Sequence, residues 1–213
     1  YEIPKRDWSS DVCSSDLLAV LASEILFAHG ADAMDLAMRL TPPFRSIVHP
    51  LGTDPLGRDV LARTIVGGQV SITVGILSVG AAAFFGTIAG LIAGFYRGFW
   101  DSVLMRWADV QLALPFILLA ITFAAILGTD MWKLIAFMAI SQWVQYARVI
   151  RSVTITLRDR DFVISAFAIG VSDPAIVWRH ILPNAFAPVL VLMTLNVANN
   201  ILLESSLTFL GLG

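Results

Sequence analysis

No charged residue occurs between Arg63 and Arg97. The apolar heart of that gap, Ser71–Gly94, is 24 residues long. At about 1.5 Å per residue, a helix of that length crosses a hydrocarbon core roughly 30 Å thick with room for tilt. A run this long and apolar leaves few folds open. In hydrocarbon, backbone polar groups must be satisfied within the segment, and a helix does this. Composition agrees: 57% of residues are apolar and 14% charged, against about 25% charged in soluble domains. A soluble globule of this size could not hide so much apolar surface, and the same composition excludes disorder. The net charge of −2 offers no basic surface to nucleic acid. A single cysteine, Cys13, excludes a disulfide framework and a cysteine-based zinc site. His29, His49 and His180 are too scattered for metal-ligand spacing. The chain therefore reads as an all-α, polytopic transmembrane helical bundle.

Four full spans are expected, over residues 71–94, 109–129, 131–150 and 187–206. The third has only 14 uncharged residues, Leu134–Ala147, and crosses if Lys133 and Arg148 snorkel to the two interfaces. Trp132, Trp143 and Tyr146 suit interfacial positions. A further apolar run, residues 17–28, is short and contains Glu24, so it reads as the tail of a partial span. Residues 1–16 are polar, aperiodic and rich in Ser and Asp. They are either a cytoplasmic tail or a foreign piece joined to a truncated span, and the second reading is preferred. They stand apart from residues 17–213, taken as one transmembrane domain.

Lys and Arg in the connections orient the bundle. Arg97 and Arg106 fall in one loop, and Arg148, Arg151, Arg158, Arg160 and Arg179 in another on the same side. The opposite side carries Arg39, Arg45, Arg58, Arg63 and Lys133, balanced by five aspartates. The loop over residues 151–185 is accordingly cytoplasmic.

Gly86, Gly90 and Gly94 share a helix face and would let a second backbone approach closely. Pro115 and Pro188 favour kinks, which occur in translocation pathways and in membrane bundles generally. Asn196, Asn199 and Asn200 are costly against lipid. Either interhelical hydrogen bonding or a water-filled path accommodates them.

The long cytoplasmic connection is the most informative stretch. Arg158–Ile169 is spaced as an amphipathic helix, and Gly170 follows where a left-handed residue would end it. Ser172 or Asp173 then offers an N-cap, with Pro174 at the first helical position. A short helix over Pro174–Ile181 is expected, closed by Pro183. Phe162, Phe167, Ile176, Val177 and Trp178 need cover, from the bundle or from a soluble partner.

Here the sequence resembles the membrane subunits of ABC importers. Their signature runs EAA, three residues, Gly, nine residues, Ile, one residue, Leu-Pro. Ala166, Gly170, Leu182 and Pro183 match it, while Ile164, Ser165 and His180 depart from it. The run Arg179–Asn184 (RHILPN) is similar to the dipeptide/oligopeptide/nickel branch. So are His49–Arg63 (HPLGTDPLGRDVLAR), Gly90–Gly98 (GLIAGFYRG) and Glu204–Gly213 (ESSLTFLGLG).

The resemblance implies a six-span permease of the bacterial or archaeal cytoplasmic membrane, so parts are expected to be missing at both ends. It implies partnership with a second homologous permease subunit, two cytoplasmic ATPase subunits and an extracytoplasmic substrate-binding protein, and no nucleic acid. By this analogy the ATPase-coupling loop comprises Asp161, Ala166, Gly170, Ser172, Asp173, Pro174, Arg179, His180, Leu182 and Pro183. The cargo would be a peptide or a related small solute such as nickel. The chain has no G-x-x-x-x-G-K-[ST] phosphate loop, so ATP would be used by partner subunits and no cofactor bound by this one. No catalytic or metal-ligating constellation is evident. A self-contained secondary transporter is the alternative. It calls for an ionisable relay inside the spans, whereas Asp109, Asp130 and Glu204 fall at span ends.

Overall fold

A computed structural model describes residues 33–45, 47–128 and 130–209. Among them the regular structure is helical: α1 (Val60–Tyr96), α2 (Gly98–Ala113), α3 (Phe116–Leu127), α4 (Met131–Arg158), α5 (Asp161–Ala168), α6 (Asp173–Ile176) and α7 (Leu182–Phe209). Two compact units divide at Ile72 and Thr73. The expectations for residues 1–16 and 17–28 lie outside the described residues.

The first unit is built on its aspartates. Asp59 sits before α1, and its Oδ1 accepts from the Leu61 and Ala62 amides at 2.7 and 3.2 Å. This is the N-cap arrangement that satisfies orphan donors at a helix start. Its Oδ2 meets His49 Nδ1 at 3.0 Å. Asp54 Oδ1 accepts from the Leu56 and Arg58 amides, and Oδ2 from Arg63 at 2.9 Å. The Arg58 amide foremost holds the Asp54 carboxyl below the ordinary carboxylate range. The motif His49–Arg63 is thus a folded loop that delivers the chain into α1.

Among the described residues, α1 and the continuous run Asp173–Phe209 are long and apolar enough to cross a membrane. The second expected span is not one straight helix. Leu114 and Pro115 are extended, and the helices on either side meet at 89°. Pro115 cannot donate to the turn before it, so the ladder stops there. Counted as one span, the bent pair makes three. The third expected span lies within α4, which is long enough but does not qualify on hydropathy. Lys133, Gln142, Gln145 and Arg148 dilute it.

In the second unit, α1, α4 and α7 share a core with the loop helices. It contains Val79, Leu91 and Phe95 from α1, Tyr146 and Ile150 from α4, and Ala185 and Val189 from α7. Val163, Ala166, Ile176 and Ile181 of the connection belong to the same core. A second core gathers Ala120, Ile135, Phe137, Met138 and Leu207, with the Phe137 ring 5.4 Å from Phe116 and 5.1 Å from Phe123.

The glycine stripe lies on α4. A Cβ added at Gly86 would sit 2.6 Å from Tyr146 Cβ. One at Gly90 would sit 2.8 Å from Ile150 Cβ, and one at Gly94 2.7 Å from Thr154 Cβ. Each glycine meets α4 one turn further along, so the two backbones run in contact for a little over two turns.

Candidate coupling loop

The loop begins where α4 ends at Arg158. Asp159 closes the helix and Arg160 precedes α5. Arg97 Nη2 lies 2.9 Å from both Asp159 oxygens, tying the α1–α2 corner to this point. Arg97 itself has φ +52, a left-handed conformation uncommon outside glycine. The Arg158 guanidinium lies 5.3 Å from the Phe95 ring centroid, within cation–π range.

Two more pairs clamp α2 to α4. Arg151 grips Asp101 through Nε and Nη2, the latter at 2.6 Å from Oδ2. Arg148 Nη2 meets Asp109 Oδ1 at 2.5 Å. So Arg97, Arg148 and Arg151, which contribute to the charge excess used to orient the sequence, are partnered within the fold. No spacing rule joins these pairs, which are 39 to 62 residues apart.

α5 ends in a Schellman turn. The Gly170 amide bonds the Phe167 carbonyl at 3.0 Å and the Val171 amide bonds Ala166 at 3.1 Å. These are the two bonds that satisfy the last carbonyls when the residue after the cap is left-handed. Gly170 has φ +81, and a Cβ there would meet nothing within 4 Å. The demand for glycine is therefore conformational, without crowding. Gly170→Val should cost the turn about 1–2 kcal/mol. Amide hydrogen exchange at Val171 would accelerate accordingly, while Gly170→Asn, which tolerates the left-handed region, should lose less.

Ser172 takes the N-cap position and Asp173 and Pro174 begin α6, with no side-chain capping bond from Ser172. The expected break at Pro183 does not occur. Val177–Ile181 forms a π turn, and the helix continues through Pro183 and Pro188 to Phe209. The Leu182 amide reaches back five residues to Val177. The wider turn absorbs the residue that lacks a donor and relieves the ring's clash with the preceding turn. The Asn184 side chain donates to the His180 carbonyl at 2.7 Å.

The apolar residues of the loop divide between two faces. Val163, Ala166, Ile176 and Ile181 are buried, and Ala166 stands 5% exposed. Phe162, Ile164, Phe167, Ile169 and Trp178 are exposed, Trp178 by 66% and Ile169 by 80%. Of the residues needing cover, the bundle takes Ile176 and half-covers Val177, and leaves Phe162, Phe167 and Trp178 open. The Phe162 and His180 rings, 6.3 Å apart, bridge α5 and the Val177–Ile181 turn. Phe167 stacks on Phe95 at 6.0 Å, joining the outer face to the span. Asp161, Asp173, Pro174, Arg179 and Pro183 are exposed, and Leu182 is half-buried. Among the described residues Arg160 and Arg179 form no ion pair, and Asp161 and Asp173 are exposed on the same loop, so its exposed part is apolar with charges of both signs.

A family model described as the binding-protein-dependent transport system inner membrane component matches residues 86–213. The glutathione transport system permease protein GsiD of Escherichia coli O6:K15:H31 is 42% identical over 168 residues, covering 79% of this chain and 55% of that protein. GsiD of Pectobacterium atrosepticum is 39% identical over 168 residues, covering 79% and 56%. The dipeptide transport system permease protein DppC of Alkalihalophilus pseudofirmus is 38% identical over 202 residues, covering 95% and 66%. The chain thus spans between about half and two thirds of the length of these relatives.

Proposed function

The chain belongs to the family of binding-protein-dependent transport system inner membrane components, and from that premise we propose that it serves as a permease subunit of an ATP-driven importer. In this reading it forms part of the translocation path for peptides or a related small solute such as nickel. It pairs with a second permease subunit, and two cytoplasmic ATPase subunits and an external binding protein complete the machine. ATP is bound and hydrolysed by the ATPase subunits.

The observation that carries the reading is the two-faced loop. Outward it exposes Phe162, Ile164, Phe167, Ile169 and Trp178, which a protein partner would cover, while its inner face is packed into the core formed by the spans. A partner that moves Trp178 must also move Ile176 and Ile181. These are fully buried and share their core with Val79, Phe95 and Tyr146. Closure of an ATPase dimer on its nucleotide would therefore pass to the spans as a shift between two packed states.

Site-directed labelling tests the arrangement. In a Cys13→Ser background of the assembled importer, Leu56→Cys should react with a membrane-impermeant maleimide added outside intact cells. Trp178→Cys should react only from the cytoplasmic side, and the bound ATPase subunits should protect it. Labelling of Trp178→Cys from outside would overturn both the orientation and the docking assignment.

A further inference from the structure

Beside the break at Leu114–Pro115 lies an open cavity of about 640 Å³, within the roughly 300–1,000 Å³ range of small-ligand sites. Its polar lining consists of carboxamides and a hydroxyl: Gln111, Ser141, Gln142, Gln145 and three asparagines of α7, with no ionisable side chain. The deeper amides are fixed. Gln142 Nε2 donates to Asn200 Oδ1, and Asn200 Nδ2 donates to Ser78 Oγ at 2.7 Å. Asn196 Nδ2 donates to the Tyr146 hydroxyl at 2.9 Å and reaches Gln145 Oε1 at 3.3 Å. Gln111 is held by the Ile140 and Ser141 carbonyls and by the Trp143 indole N–H.

The amides nearer the opening are not consumed in this way. Asn199 is exposed and makes no side-chain hydrogen bond among the described residues, and Gln145 keeps its amide donor free. Asn199 belongs to a helix apolar enough to cross the membrane. An unsatisfied amide facing lipid costs several kcal/mol. Irregular backbone of the kind at Leu114–Pro115 is likewise tolerated within a membrane only where it is buried or lines a watery cavity. Both features place this wall against a polar occupant.

We propose that this cavity is a station for the backbone of a short peptide in transit. Asn199 and Gln145 supply exchangeable donors and acceptors to its amide groups. The fixed Gln142–Asn200–Ser78 and Asn196–Tyr146 bonds keep the wall rigid. A carboxamide can donate and accept together, as a peptide group does, so it reads the backbone and tolerates any side chain. A metal ion finds no carboxylate, imidazole or thiolate on this wall. The proposal rests on the importer reading and narrows its cargo to peptides.

The test uses the complete importer in proteoliposomes, with radiolabelled alanylalanine and glutathione as probes. Asn199→Leu and Gln145→Leu should each raise KM for uptake about threefold to tenfold, the worth of one lost hydrogen bond, with the effect in KM rather than maximal rate. Asn199→Gln should recover most of the loss. An N-methylated dipeptide, lacking the backbone donor, should be transported less well by the parent importer and equally well by parent and Asn199→Leu. Unchanged KM in both leucine variants overturns the station. Loss of the partner subunits on purification of Asn199→Leu also overturns it, by showing the wall to be a subunit interface. Failure of the parent importer to take up either probe, while loaded binding protein still stimulates its ATP hydrolysis, also overturns the station; absence of that stimulation overturns the importer reading instead.

Discussion

Gly90→Leu is expected to destabilise the bundle steeply. A Cβ there would meet the Ala147 carbonyl at 2.5 Å and Ile150 Cβ at 2.8 Å. Backbone cannot swing aside as the end of a side chain can, so α1 and α4 would have to part. Overpacking by even a few methylenes costs about 1–3 kcal/mol, and a full leucine on this stripe would cost at least that. Parting the helices also loosens Tyr146 and Ile150, which are fully buried in the core that reaches the loop. Gly80 is the matched control. It lies on the same helix, and an added Cβ meets nothing within 4 Å. Gly80→Ala should be neutral or gain up to about 1 kcal/mol from helix propensity. Thermal unfolding of the purified complex in detergent checks both. The expected pattern is a steep loss for Gly90→Leu and none for Gly80→Ala. Equal effects would show that the glycines are placed by general tolerance and not by contact.

Trp178→Asp should uncouple the machine while leaving it assembled in the membrane. Trp178 is 66% exposed, so its replacement leaves no hole in the bundle. Truncating a tryptophan anchor in a protein interface commonly costs about 2 kcal/mol or more, over tenfold in affinity. Stimulation of ATP hydrolysis by loaded binding protein should fall by at least about that factor. Ile176→Asp, two residues away, should fail differently. Ile176 is fully buried, and an unpaired charge there destabilises the loop by several kcal/mol. The chain would then be lost to proteolysis, so the readout is its abundance in membranes. Two neighbours with opposite failures would establish that the loop has one face for the spans and one for a partner.

Much of this arrangement could be read along the chain, because local periods fix local faces. Gly86, Gly90 and Gly94 had to share one side of a helix, and Gly170 followed by Ser172-Asp173-Pro174 spelled a helix stop and a helix start. Other features depend on which helices meet. The Gln142–Asn200–Ser78 chain joins residues 58 and 122 positions apart, and no spacing rule links them. A glutamine inside an otherwise apolar run was the available signal for Gln142 and Gln145. Pro115 announced a kink, but its size was settled by a second extended residue, Leu114. Pro183 misled: a proline usually ends a helix, and here the π turn over Val177–Ile181 carries the helix past it. The division of Ile176 from Trp178 was similarly hidden, since both are large apolar residues on one short segment.

On the proposed function, energy reaches these spans through the loop, from ATP used on another polypeptide. The most direct measurement is initial uptake of labelled dipeptide by proteoliposomes holding the complete importer, with binding protein outside and nucleotide inside. Uptake should require both ATP and the ATPase subunits, and should persist when an uncoupler collapses the proton gradient. Uptake that continues without the ATPase subunits and follows an imposed ion gradient would contradict the account and identify a self-contained secondary transporter.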